Sequence, residues 1–249
     1  MISWPAGYGC RVLDEVDSTL DEARRIADTL SGPEWIMAHR QTRARGRRGR
    51  AWIAPEGNLS ATLILRPGGG PEKAAQRSFV GALAVHDAVV AVTGRAEGLA
   101  CKWPNDVLLN GGKLAGILLE SFGAGADVSY LAIGIGVNLR EAPPADAVEE
   151  GALRPVSLLS ETGADVDPET FLTALAAAYD HYETHFVTYG FDPIRAAWLQ
   201  RAAKLGQPIT ARTGTSEFTG TFQSIDEAGN LVLMTPRGQV ILPAADIYF

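Results

Sequence analysis

Five arginines fall within the eight residues Arg43-Ala44-Arg45-Gly46-Arg47-Arg48-Gly49-Arg50, inside a 249-residue chain of net charge −7. Segments that read as strands flank this stretch closely, Trp35–His39 before it and Leu59–Leu65 after it, so it is a loop within a folded domain and not a disordered basic tail. A general nucleic-acid binder spreads positive charge over a whole face. Here the charge is confined to one loop-sized segment, which points to a local anionic ligand. Gly46 and Gly49 allow close backbone approach, and guanidinium groups grip phosphate or carboxylate with two parallel hydrogen bonds. A solvated basic loop is the alternative that this segment alone leaves open.

The elements around the loop read as α+β. Val12–Val16 is a short strand. Thr19 with Glu22 fits a capping box ahead of Leu20, Ala23, Ile26, Ala27 and Leu30, which recur at helical spacing until Gly32-Pro33. Trp52–Gly57 is turn-like. Ala74–Val92 has helical periodicity. Val107–Leu109 and Lys113–Ser121 form a hairpin through Asn110-Gly111-Gly112. Tyr130–Leu139 is a buried strand, and helices follow over Pro168–Val187 and Pro193–Ala203. After Leu205 the texture changes to short strands at 208–212, 217–225, 231–234 and 239–242. That pattern predicts a body over residues 1–204 with a small β-barrel over 205–249.

With 46% hydrophobic and 20% charged residues the composition is that of a soluble globular protein long enough to need no disulfide or metal staple. Cys10 and Cys101 form no C-x-x-C pair and suit a reducing compartment. The first ten residues lack a signal-peptide pattern, and the apolar run Phe79–Val92 is broken by His86 and Asp87. A cytoplasmic protein that does not engage a membrane is expected.

Four further constellations carry candidate chemistry. Ser18 and Thr19 stand at a helix N-terminus, where backbone N–H groups are free. Lys102-Trp103-Pro104-Asn105-Asp106 ends a strand in a proline-fixed turn, which an ordinary Asx turn also explains. Gly112-Lys113-Leu114-Ala115-Gly116 sets a lysine at the mouth of an apolar strand, where it requires an anion or guards an edge. It is not a phosphate-binding Walker loop, because Leu follows the lysine. Gly134-Ile135-Gly136-Val137-Asn138 fails the dinucleotide pattern, since position 139 is Leu, and marks a place where a ligand or another backbone comes close. His181 and His185 lack a third ligand, and no metal-binding residues are assigned.

In this order, and with the two specific motifs R-G-R-R-G-R and K-W-P-N-D, the chain closely resembles the biotin protein ligases from about Val12 to its end. The resemblance implies a mixed-sheet catalytic domain, like that of class II aminoacyl-tRNA synthetases, followed by an SH3-like C-terminal domain. It implies ATP-dependent ligation of biotin to a lysine of a biotin carboxyl carrier domain, as in acetyl-CoA carboxylase, through biotinyl-5′-adenylate. ATP, biotin and Mg²⁺ are the implied cofactors and substrates, and the carrier protein is the implied partner. Ser18, Thr19, Leu20 and Gln41 would hold the ureido end of biotin. Gly116, Gly134 and Gly136 would form the floor under its rings and tail, with Gly46 of the loop above. Arg45 and Arg47 would close over carboxylate and phosphate, and Lys113 would sit between biotin carboxylate and α-phosphate. Arg48, Asn105 and Asn138 would serve the nucleotide, and Trp52 would stack near adenine. Asp106 would orient or deprotonate the acceptor lysine, whose free pKa of about 10.4 makes it a poor nucleophile at neutral pH.

Two positions depart from the family pattern. Ala44 stands where Gly is usual, and Leu20 stands where Asn is common. Many bacterial relatives begin with a helix-turn-helix domain. Ser18 lies too near the first residue for one here, so neither nucleic-acid binding nor repressor activity is expected. A homodimer is left open. A lipoate ligase of the same superfold is the nearest alternative, but Gly68-Gly69-Gly70 lacks that family's double-arginine setting. A nucleic-acid-binding module built on the arginine loop is the second. The segment Ala44–Trp52 is expected to be mobile without ligand.

Overall fold

Strand alternation decides which side chains face the ligand in this protein. The computed structural model describes residues 2–123, 127–144, 147–148 and 151–249. Strands β1 (Gly9–Val16), β2 (Glu34–Gln41), β3 (Leu59–Leu65), β4 (Leu99–Lys102), β5 (Asp106–Leu109), β6 (Gly112–Phe122) and β7 (Tyr130–Val137) form one sheet in the order β1-β2-β3-β7-β6-β5-β4. The pair β1/β2 is parallel and the other pairs are antiparallel. Helix α1 (Thr19–Ile26) makes the crossover between β1 and β2.

Because successive strand residues point to opposite faces, the sheet has two apolar sides. Trp35 and Met37, Leu63 and Leu65, and Leu131 and Ile133 enter the large core; Ile36, Ile64 and Ala132 meet Leu20, Ala23 and Ile26 of α1. On β7 this alternation leaves Gly134 and Gly136 on the α1 side, where Thr62 of β3 pairs with Gly134. The large core is covered by α3 (Arg77–Thr93) and α5 (Pro168–Tyr189), with α2 (Pro71–Ala75), α4 (Leu158–Thr162) and α6 (Phe191–Gln200) at its margins. Leu83 of α3 is completely buried there, so truncating it to Ala is expected to cost about 2–5 kcal/mol. Arg77, also buried, donates to Glu183 of α5 at 2.7 Å. Removing one partner of such a pair costs about 3–5 kcal/mol, because the other charge is left buried.

The chain from Pro208 forms a second sheet from β8 (Pro208–Arg212), β9 (Glu217–Ile225), β10 (Leu231–Thr235), β11 (Gly238–Leu242) and β12 (Asp246–Tyr248), all antiparallel in the order β11-β10-β9-β8-β12. It is the small β-domain expected from the sequence. It shares a continuous core with the body: Phe222, Ile225, Leu233 and Ile247 belong to the same buried cluster as Leu83 and Trp198. Trp103 Nε1 donates to Gly229 O at 3.0 Å and Arg195 Nε to Ile225 O at 2.8 Å. These bonds tie the β9–β10 hairpin to the body. No helix among the described residues is long and apolar enough to cross a membrane.

Several boundaries differ from expectation for physical reasons. β1 starts at Gly9, since its pairing with β2 extends beyond the apolar run. The Thr19/Glu22 capping box does not form: Ser18 is the N-cap without a side-chain cap, because the Thr19 hydroxyl is engaged elsewhere, and the turn after Ile26 tightens to a 3₁₀ turn. The helix expected over 74–92 is two helices joined at Gln76. α6 begins at Phe191, straight after the joint at Gly190. The hairpin turn is as expected, with positive φ at both Asn110 and Gly111, which a tight two-residue turn requires. Helix α4, capped by Ser157, and strand β12 were not foreseen.

Candidate active site

A cavity of about 420 Å³ opens on the ligand face of the seven-stranded sheet and reaches β12. Ser18, Thr19, Leu20, Gln41, Arg45, Gly46, Arg47, Trp52, Asn105, Asp106, Lys113, Gly116, Gly134, Gly136 and Asn138 all line it. Of the residues given a site role in the sequence, Arg48 stands outside the lining, bonded to Asp246 at its edge.

One end is a small polar cluster. Gln41 Oε1, at the end of β2, accepts from Thr19 N at 2.8 Å and from Thr19 Oγ1 at 3.1 Å. Thr62 Oγ1 donates to Thr19 Oγ1 at 2.8 Å. With its carbonyl committed, Gln41 keeps its amide N–H groups for a ligand. Thr62 is wholly buried and was missed in the sequence, where it reads as one more β-former.

The floor is built by close approach. A Cβ on Gly136 would lie 2.5 Å from the Trp52 indole, and one on Gly134 would lie 3.0 Å from Leu20. Only glycine fits beneath the indole at Gly136, and at Gly134 a Cβ would fit only if Leu20 shifted. Trp52 therefore rests on the floor over Gly116 and Gly136, at the place expected for the biotin rings and tail. Its Nε1 is buried without a hydrogen-bond partner among the described residues.

Midway along the cavity, Lys113 Nζ lies 2.7 Å from Asp106 Oδ1 and 5.6 Å over the Trp52 ring. The approach is that of an ion pair by distance; the angles do not make a hydrogen bond, so Asp106 Oδ1 retains capacity to accept. The turn that presents Asp106 contains a cis Trp103–Pro104 bond. Asn105 Nδ2 donates to Ile117 O at 2.6 Å, which pins the turn to β6. Lys102, unassigned in the sequence, also lines the cavity; burial lowers its pKa, against the pull of Asp106.

The arginine loop is a closed hairpin. Gly46 N donates to Arg50 O at 2.7 Å and Trp52 N to Ala44 O at 3.0 Å, while Arg48 takes a positive φ. The two arginines expected to act together are treated differently. Arg45 is gripped bidentately twice, by Asp21 of α1 at 2.8 and 2.9 Å and by Glu120 of β6 at 2.9 and 3.0 Å. Those hydrogen bonds, Asp21 first, raise its pKa and lower that of Asp21. Among the described residues Arg47 has only long contacts, to Asn105 Oδ1 at 3.4 Å, Ala245 O at 3.5 Å and Asp246 Oδ1 at 3.7 Å. Burial lowers its pKa, a sign of a guanidinium not fully compensated. Asn138 is placed mainly to brace the structure: Nδ2 donates to Val156 O at 3.0 Å, and its buried Oδ1 lacks a described partner. Glu120 was legible in principle, as a lone acid inside an otherwise apolar strand. Asp246 carried no such signal.

Residues 9–138 match the Biotin/lipoate A/B protein ligase family, and residues 204–249 match the Biotin protein ligase C terminal domain. A biotin–[acetyl-CoA-carboxylase] ligase of Paracoccus denitrificans is 56% identical over 96% of this chain and 99% of that protein. A bifunctional ligase/repressor of Bacillus subtilis is 33% identical over 94% of this chain and 72% of its own. The Aquifex aeolicus biotin protein ligase solved with biotin and ATP superposes with a TM-score of 0.80, at 27% identity, covering 96% of this chain and 97% of that one. The fold, the full-length likeness and the motifs gathered in one cavity agree: this chain belongs to the Biotin/lipoate A/B protein ligase family.

Proposed function

We propose that this chain joins biotin to a lysine of a biotin carboxyl carrier domain, using ATP and releasing AMP and pyrophosphate. The observation that carries the reading is the linear order of the cavity. A polar end at Thr19 and Gln41, with Ser18 beside them, is followed by a glycine floor, then Lys113, then a basic mouth at Arg47. A bicyclic urea, an aliphatic tail, a carboxylate and a nucleotide phosphate follow in the same order. In the first step a biotin carboxylate oxygen attacks the α-phosphorus, and the bond to pyrophosphate breaks. Lys113 neutralises the charge that builds between the two anions, an effect worth about 3–4 kcal/mol when preorganised. In the second step the acceptor amine attacks the mixed anhydride and AMP departs. Asp106, within reach of the same place, takes the amine proton.

The floor and the indole cannot both be occupied, so biotin displaces Trp52 toward the nucleotide end, where stacking on adenine becomes available. Arg48 and Asn105 assist there, and Asn138 acts by bracing the wall. Mg²⁺ enters with ATP. Among the described residues no three acidic, histidine or cysteine side chains group to hold a metal, and phosphate oxygens are its natural ligands. Residues 1–204 supply the catalytic body and 205–249 the domain that backs the basic mouth.

The decisive measurement is ATP–pyrophosphate exchange driven by biotin compared with lipoate, followed by transfer to a carrier domain. Exchange driven by lipoate alone would sink the reading. The nucleic-acid alternative is disfavoured by the loop itself. Arg43 pairs with Asp17, Arg45 with Asp21 and Glu120, and Arg48 with Asp246, so little charge is left for a phosphate backbone. Duplex DNA binding is expected to be weak and without a steep salt slope.

A further inference from the structure

The basic mouth of the cavity holds one acid from the C-terminal domain. Asp246 opens β12, and its side chain is only 15% exposed. Its Oδ2 accepts from Arg48 Nη1 at 2.6 Å and lies 3.4 Å from Arg50 Nη2, while Oδ1 faces Arg47 Nη1 at 3.7 Å. Three arginines of one loop thus point at one carboxylate, in the cavity that Lys102 and Lys113 also line. A carboxylate surrounded by guanidinium groups mimics a phosphate. A phosphate entering beside Arg47 meets a like charge within a few ångströms, and like charges repel strongly where water is partly excluded.

Resting on the ligase reading, we propose that Asp246 is a built-in competitor for the nucleotide site: it stands in for a nucleotide phosphate in the ligand-free chain and releases its arginines when ATP enters. The arginines are the movable partners. They lie in a loop, whereas Asp246 sits on a strand paired residue for residue with β8, opposite Arg212. The same exchange gives the C-terminal sheet a direct part in the chemistry without touching the reacting atoms. The cost is competition: the bound carboxylate must be displaced.

The test uses the full chain as wild type, Asp246→Asn and Asp246→Glu. With Asp246→Asn, the KM for ATP in biotin-dependent exchange and the Kd for pyrophosphate alone are expected to fall about three- to tenfold, with kcat within twofold of wild type. Asp246→Glu is expected to keep wild-type values. A raised KM, or an unchanged one, overturns the proposal, because a bracing or merely structural carboxylate gives those results. A second arm needs no variant. Pyrophosphate added to the wild type should slow amide exchange over residues 45–51 and speed it over 245–248. Slowing in both segments also overturns the proposal. If the wild type shows no biotin-dependent exchange, the ligase reading fails, and the pyrophosphate and amide-exchange arms still decide the role of Asp246.

Discussion

Arg45 and Arg47 are two residues apart in one hairpin, and their guanidinium groups meet opposite conditions. Arg45 is saturated by two carboxylates from α1 and β6, with every contact at 3.0 Å or less. Arg47 is buried against contacts of 3.4 Å or more. Residue type and spacing are the same, yet one cation is already spent and the other is waiting. The pair teaches that a role in anion binding follows from unsatisfied valence at the site. On the proposed reading, Arg45 clasps the loop through Asp21 and Glu120, and Arg47 is left to take a phosphate.

The largest expected effect bounds the comparison from outside. Lys113 lies between the two ends, and neither arginine can replace it. Lys113→Ala should reduce adenylate formation about 10²–10³-fold with an unchanged fold by circular dichroism. Retained exchange rates would remove Lys113 from the mechanism.

Next comes the comparison itself. Arg47→Ala should raise the KM for ATP and lower exchange about 10²-fold. Arg45→Ala should change the KM for ATP less than threefold while weakening biotin binding and speeding amide exchange over 44–52. Equal effects on ATP from both variants would erase the distinction. In the wild type, biotin with ATP should slow exchange over the same segment.

A smaller effect tests the floor beneath the loop. Gly136→Ala places a methyl 2.5 Å from the indole of Trp52. It should weaken biotin binding about tenfold, measured by calorimetry. Adding Trp52→Ala should restore stability but not affinity. Recovery of both would mean that the indole alone, and not the floor, sets the fit.

The smallest effect is on pH. Arg45 holds the Asp21 carboxyl below the usual carboxylate range, first through its hydrogen bonds. A depressed folded pKa gives stability that is complete above the unfolded value of about 3.9 and is lost as pH falls through the folded one. The Arg45 clasp should therefore hold unchanged from pH 7 to 5 and loosen only below about pH 4. Amide exchange over 44–52, corrected for its intrinsic pH dependence, reads this directly. Loosening already between pH 7 and 5 would assign the clasp to another group.

Much of the site was legible because its chemistry is written in local motifs. The Asn110-Gly111 turn needs only neighbouring residues to be read, whereas Lys113 and the glycines of β7, ambiguous singly, gain their reading from the order of motifs along the chain. The Thr19/Glu22 capping box was misread for the opposite reason. Thr19 finds Gln41 and Thr62, 22 and 43 residues away, and these outcompete the local bond. The resemblance implies Trp52 near adenine; that its indole folds over Gly136 in the ligand-free chain is a contact between residues 84 apart, which no local motif signals. The expected mobility of the loop rests on its dense like charge and its glycines; the acids that face those charges come from α1, β6 and β12.

The sequence by itself determined the mixed fold, the small C-terminal β-domain, the family and the polar, glycine and basic motifs that line the cavity. Periodicity, turn chemistry and contiguous motifs are short-range properties, and they survive in one dimension. Tertiary structure decided which cations are free to act. That depends on carboxylates brought in from 24, 75 and about 200 residues away. Electrostatic satisfaction is a property of neighbours in space, and no spacing rule carries it.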